Sequence, residues 1–264
     1  MMGAPATILL WKDPAKNKAP APELCCYLLP GKMKRPAVLV IPGGGYGGVC
    51  EATEGEPIAR KFNELGFHAF VLHYRVAPHR FPEPQEDVFR AIRLIRANAG
   101  KWRVIPDQLA VCGFSAGGHL ATMVCQHEPS ENLAEDAIGE VSSKPNAVIL
   151  GYAVTTLGDG TYPTMPGIFL GEENKTNAAL IAKYSYSNNL SAMPPAFIFY
   201  STLDTAVNPE KNSVALANAM TEAGKTVEIH GYTDGTHGIG LGTGYTEFSK
   251  WFNQSCEFIE KTID

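Results

Sequence analysis

The sequence predicts an α/β domain built on a mainly parallel, doubly wound sheet with helices on both faces. Two observations carry this. Short apolar runs with the length and β-branched content of buried strands alternate with segments of helical period along most of the chain. The composition also suits a folded core, since 45% of the residues are hydrophobic, and the 26 Gly and 19 Pro then mark tight connections rather than disorder. At 264 residues, a single domain spanning 1–264 is expected. No internal repeat is visible.

The elements follow in order. Apolar patches at Ile8 to Trp11 and Leu24 to Leu29 predict an antiparallel edge hairpin ahead of the main sheet. Pro36 to Ile41 is a continuous apolar run, as expected of a strand covered on both faces. Glu51 to Leu65 reads as a helix ended by Gly66, with Glu54 and Glu56 serving its first turn. Phe67 to Tyr74 is the next strand, and its His68 and His73 are expected to be structural. Val88, Ile92, Ile95 and Ala99 recur at helical spacing, predicting a helix over Glu86 to Asn98. Arg90, Arg93 and Arg96 then face outward and Asp87 caps the first turn. Leu109 to Cys112 is a strand, followed by a helix on which Leu120 and Val124 share a face. A polar stretch leads to the strand Ala147 to Tyr152. Residues 155–195 lose periodicity except around Ala178 to Lys183, and irregular segments of that length are often lids or binding loops. Ala196 to Tyr200 is a strand, Pro209 to Ala223 a helix, Thr226 to His230 a strand, and Tyr245 to Thr262 the closing helix.

Between the Leu109 strand and its helix sits Gly113-Phe114-Ser115-Ala116-Gly117, a G-x-S-x-G sequence. A serine on a sharp strand-to-helix turn is projected outward on a strained backbone, and the N–H of the next residue, Ala116, opens the helix. A serine hydroxyl is a poor nucleophile at neutral pH. It needs a base in hydrogen-bond reach and a carboxylate to orient that base. Asp204 ends one strand and His237 lies in a glycine-rich loop after the next, so Ser115, Asp204 and His237 form a candidate triad. His119, on the elbow helix, is expected to pack there, and His79, His127 and His230 are weaker candidates for the base. Asp234 is the chief rival acid, with Asp159 behind it. The glycine run Pro42 to Gly48 lacks the spacing of a phosphate loop and follows a buried strand, which makes Gly44 and Gly45 candidate donors to an oxyanion. Alanine at either is expected to slow turnover with little effect on melting temperature.

Other classes are disfavoured. The net charge is −5 and the 22 basic residues are scattered, so no nucleic-acid footprint is present. No apolar run approaches the roughly 20 residues that cross a bilayer, and Met1 to Leu10 lacks the basic region of a signal peptide. The six cysteines show no C-x-x-C spacing and read as free thiols of a cytoplasmic protein. Neither a metal nor an organic cofactor is expected; the expected partner is a small-molecule substrate, with neither nucleic acid nor a membrane.

The motifs Ile41 to Tyr46, Tyr74 to Pro78, Gly113 to Ala121, Pro194-Pro195 and His237-Gly238 together resemble the carbohydrate-esterase members of the α/β-hydrolase superfamily. The likeness is to acetyl-xylan and related acetyl esterases near the hormone-sensitive-lipase-like branch, and covers Pro36 to the C-terminus. It implies the α/β-hydrolase fold and hydrolysis of short acyl esters of a carbohydrate or other small alcohol. It also implies Ser115 as nucleophile, His237 as base, Asp204 as orienting acid, and Gly44, Gly45 and Ala116 as oxyanion donors. Two departures stand out: Pro42 occupies the place of a frequent histidine, and Ser201 to Pro209 is a loose version of the acid loop. Other acyl hydrolases on this scaffold (feruloyl esterase, arylformamidase, peptidase) remain alternatives, as does a non-catalytic receptor.

Overall fold

The structure is a computed structural model that describes residues 5–129, 138–186 and 189–263. The polar stretch after the elbow helix falls partly outside them, as do two residues of the 155–195 segment. Its frame is one eight-stranded sheet, ordered β1-β2-β4-β3-β5-β6-β7-β8. The strands are β1 Ala6–Leu9, β2 Glu23–Tyr27, β3 Arg35–Ile41, β4 His68–His73, β5 Val104–Phe114, β6 Ala147–Gly151, β7 Ala196–Ser201 and β8 Val227–Tyr232. β1 and β2 pair antiparallel, with Ala6 opposite Cys26, and β2 joins β4 antiparallel. Every pairing from β4 across to β8 is parallel. The predicted edge hairpin and doubly wound sheet are both present.

Period-two alternation in the central strands builds two cores. Leu39, Ile41 and Val111 face one side, packed with Val88 and Ile92 of α2 (Glu83–Ala97), Leu120 of α4 (Ser115–Gln126) and Leu216 of α7 (Ala215–Glu222). Val38, Val40, Ala110 and Cys112 face the other, against Ile58 and Phe62 of α1 (Glu56–Glu64) and Trp251 and Phe258 of α8 (Trp251–Thr262). A short α3 (Ala99–Trp102) leads into β5. With both faces covered, the central segments Ala37 to Ile41, Leu109 to Phe114 and Ala147 to Gly151 are apolar and buried.

Four local expectations are corrected. The helix predicted from Glu51 opens instead as a wide π-type turn, Glu51–Gly55, before α1 proper. Arg90 does not face outward: it is buried, its Nε donates to Leu10 O, and its guanidinium lies 5.2 Å from the Trp11 ring. Arg96 likewise turns back to Pro106 O and Asn146 Oδ1. Asp87 caps nothing. It is fully buried, paired with Arg75 at 2.8 Å and accepting from Trp11 Nε1 at 2.7 Å. A buried guanidinium demands such a partner, because an unpaired charge there would cost several kcal/mol.

The 155–195 segment is more ordered than its sequence suggests. It holds α5 (Met165–Leu170) and α6 (Ala178–Lys183), and Leu157, Met165, Phe169 and Tyr184 are core residues. The helical pattern of α6 is visible in the sequence, whereas α5 is only six residues long and interrupted by Pro166 and Gly167.

Candidate active site

The candidate residues converge at the C-terminal ends of β3, β5, β7 and β8. β5 runs straight into α4 at Ser115, whose φ of +50° is the strained elbow. The elbow has no room for side chains nearby: a β-carbon on Gly117 would sit 2.1 Å from Ile41 O. Hence the glycine two residues past the serine. Ser115 is thereby aimed into a cavity of about 330 Å³ whose walls include Gly44, Gly45, Glu54, Tyr162 and His237.

His237 comes from the loop after β8 and bridges two partners. With Nδ1 protonated, it donates to Asp204 Oδ2 at 2.7 Å, and Nε2 accepts from Ser115 Oγ at 2.8 Å. Asp204, just past β7, is fixed in turn: its Oδ1 accepts from the N–H of Ala206 at 2.8 Å and of Val207 at 2.9 Å. The Asp204 side chain is only 1% exposed, so water competes little for the imidazole contact. The rivals lie elsewhere. Asp234 accepts from the N–H of Glu247 and Phe248, which holds its carboxyl below the usual range. Asp159 pairs with Lys211 on the surface. His119 packs as expected, between Tyr46 Oη at 2.6 Å and Tyr184 O at 2.7 Å.

The glycine loop after β3 folds on itself, with the N–H of Gly47 and of Gly48 donating to Gly44 O. Among the described residues no backbone acceptor takes the N–H of Gly44 or Gly45. Both glycines line the cavity; Ala116 is fully buried in the first turn of α4, where a backbone N–H has no partner within the helix. The Tyr74 to Pro78 motif braces this loop: Tyr74 Oη donates to Pro42 O at 3.0 Å and the Ala77 N–H to Tyr46 O at 2.8 Å. The site is thus a serine–imidazole–carboxylate relay opening on a small cavity with free backbone donors, an arrangement suited to acyl transfer.

The family model BD-FAE matches residues 26–220, which take in the glycine loop, the elbow and Asp204. The chain belongs to the BD-FAE family. This family member also shares its fold with the acetyl ester-xyloside bifunctional hydrolase from Caldicellulosiruptor lactoaceticus, at a TM-score of 0.90 and 32% identity, over 99% of this chain and 97% of that one. Among curated proteins it is 30% identical to the acetylxylan esterase of Xylanibacter ruminicola over 90% of this chain. It is 35% identical to endo-1,4-beta-xylanase B of Butyrivibrio fibrisolvens over 83% of this chain. The chain spans only 46% and 34% of the lengths of these two relatives. Fold and resemblance both agree with the α/β-hydrolase expectation.

Two residues of the family member's site escaped the sequence reading. By sequence Glu54 belongs to the first turn of a helix, yet it is 1% exposed and lines the cavity. Tyr152 is by sequence only the end of a strand, yet its ring lies 4.8 Å from that of His237. No local signal marks either: three glutamates stand within six positions at Glu51, Glu54 and Glu56, and only folding distinguishes them.

Proposed function

We propose that the chain is a serine carboxylic-ester hydrolase that removes short acyl groups, acetyl foremost, from small carbohydrate esters. The observation that carries this is the Ser115–His237–Asp204 relay, with contacts of 2.8 and 2.7 Å, at the floor of an open cavity. Ser115 Oγ attacks the ester carbonyl carbon as its proton passes to His237 Nε2. The oxygen that gains charge lies within reach of the Gly44, Gly45 and Ala116 N–H groups. The intermediate collapses, the C–O bond to the alcohol breaks, and the alcohol leaves with the proton from Nε2. Water then attacks the acyl-enzyme, gives a proton to His237, and releases the carboxylic acid and free Ser115.

The acetyl and carbohydrate assignments are supported by the names of the matched relatives, an acetylxylan esterase and an acetyl ester-xyloside hydrolase. Tyr162, 46% exposed at the cavity wall, supports them too, because an aromatic face suits a sugar ring. The 155–195 segment that carries it acts as a fixed substrate wall within one domain. All six cysteines are free thiols, which fits a reducing compartment such as the cytoplasm. Among the described residues no helix is long and apolar enough to cross a membrane.

Hydrolysis of nitrophenyl esters of rising chain length, an acetylated xylo-oligosaccharide, a feruloyl ester and an aryl formamide tests the substrate class. Fastest turnover of the acetyl esters is expected; a preference for the feruloyl ester or formamide would move the assignment to those hydrolases. Ser115→Ala and Asp204→Asn are expected to lower kcat by about 10³-fold or more, while Asp234→Asn stays within about threefold. A folded Ser115→Ala enzyme retaining more than about a tenth of kcat would refute the nucleophile.

A further inference from the structure

Glu54 reaches both walls of the cavity at once. Its Oε2 accepts from the Gly43 N–H at 2.7 Å, immediately before the two candidate oxyanion donors. Its Oε1 accepts from Tyr152 Oη at 2.7 Å, and that hydroxyl accepts in turn from the Gly240 N–H at 3.0 Å in the loop carrying His237. The same loop docks on the Glu54 turn so closely that a β-carbon on Gly240 would meet Thr53 O at 2.1 Å. A chain of three hydrogen bonds, two of them on the Glu54 carboxyl, therefore ties the oxyanion loop to the imidazole loop.

We infer that Glu54 is a positioning residue for ester hydrolysis, a buried carboxylate that clamps the oxyanion loop to the His237 loop and sets a negative charge beside the imidazole. This rests on the serine hydrolase reading above. The hydrogen bonds at both carboxyl oxygens favour the ionised form. The Gly43 N–H can only donate, and Tyr152, already accepting from Gly240, has its proton free for Glu54. Both carboxyl oxygens then accept from a donor, as a carboxylate does. Burial pushes the Glu54 carboxyl above its ordinary range, while the Tyr152 hydroxyl, the Gly43 N–H and the charge of His237 pull the other way. Tyr152 is held protonated, since burial drives its hydroxyl well above its usual value.

The charge matters because acylation creates an imidazolium. Asp204 stabilises it from Nδ1, and Glu54, in the wall of the same cavity, adds a second negative charge. The other titratable groups near Glu54 are Cys50, Cys112 and Tyr74, whose protonated forms Glu54 favours. None of them supplies a compensating positive charge. Placement and charge predict different readouts, which separates this role from simple structural support.

The test compares Ser115→Ala, Glu54→Gln and Tyr152→Phe on a short-chain acetyl ester. Glu54→Gln keeps the size but must aim an amide N–H at one of two donors, and it removes the charge. It is expected to lower kcat at least about tenfold, as small misplacements of catalytic groups do, with KM changed less than about threefold. The acid limb of its kcat/KM–pH profile should move to lower pH, because losing a nearby negative charge disfavours the imidazolium. Tyr152→Phe cuts the link to Gly240 and leaves the carboxylate, so kcat should fall while the acid limb stays near its wild-type position. Wild-type kcat and an unmoved acid limb in Glu54→Gln would overturn the inference. If that variant does not fold, wild-type kcat in Tyr152→Phe overturns the clamp. Should Ser115→Ala itself remain active, the serine reading fails instead, whatever the Glu54 variants show.

Discussion

Gly44 and Gly45 are neighbours in the glycine loop after β3, but a β-carbon would meet them very differently. Gly44 has φ +129°, and its β-carbon would lie 2.2 Å from Gly48 O, a backbone atom that cannot move without opening the loop. Gly45 has φ +60° with nothing within 4 Å, so a methyl there is accommodated at the cost of left-handed backbone, about 1–2 kcal/mol. The expectation that either alanine leaves stability unchanged is therefore corrected for Gly44. Gly45→Ala should lower kcat at least about tenfold by crowding the acyl group, with a melting temperature only a few degrees down. Gly44→Ala should lower both, and its melting temperature by clearly more. Paired kcat and thermal melts decide this; equal melting temperatures for the two variants would mean the loop is looser than its hydrogen bonds imply.

At the level of elements, the 155–195 segment is tied to the elbow helix through α5. Phe169 of α5 stacks on Tyr46 at 4.7 Å, and Tyr46 is bonded to His119 of the elbow helix. Tyr162 stands at the start of this piece, its carbonyl accepting from the Met165 N–H, so its ring is presented from an anchored backbone. Stacking of that kind is worth about 0.5–1.5 kcal/mol. Tyr162→Ala should accordingly raise KM for an acetylated xylo-oligosaccharide roughly two- to tenfold and leave KM for ethyl acetate, which has no ring, nearly unchanged. Equal changes for the two esters would remove Tyr162 as a sugar platform.

Across the whole molecule, two buried histidines couple stability to acidity. His68 and His119 are both held down from about 6.5 to about 4, chiefly by burial, and at His68 the nearby charges of Arg103 and Arg35 add to it. Both are used neutral: His68 Nδ1 accepts from the Leu29 N–H, and His119 Nδ1 accepts from Tyr46 Oη. Between those two pH values the unfolded chain binds protons that the folded chain does not, so stability rises with pH across the window. The contribution is complete above about 6.5 and is lost as pH falls toward about 4. Denaturant midpoints measured at intervals between pH 7 and pH 4 should fall steadily, and less steeply in His119→Gln. An identical slope in the variant would show that His119 takes up its proton in the folded state.

What the sequence determined by itself is what depends on neighbours along the chain. Strand and helix periods gave away the doubly wound sheet, the G-x-S-x-G turn marked Ser115, and the order of strand ends singled out Asp204 and His237 ahead of Asp234. These are local signals, carried by spacing and by backbone geometry at one turn. The tertiary structure decided what depends on residues far apart. Asp87 is a buried ion-pair partner because Trp11, 76 positions away, and Arg75 reach it. Arg90 turns inward because the first segment of the chain lies over it. Glu54 rather than Glu51 or Glu56 enters the site because Tyr152, 98 positions away, waits there with a hydroxyl. Burial and pairing set the charge and role of an acidic side chain, and both exist only once distant elements have packed.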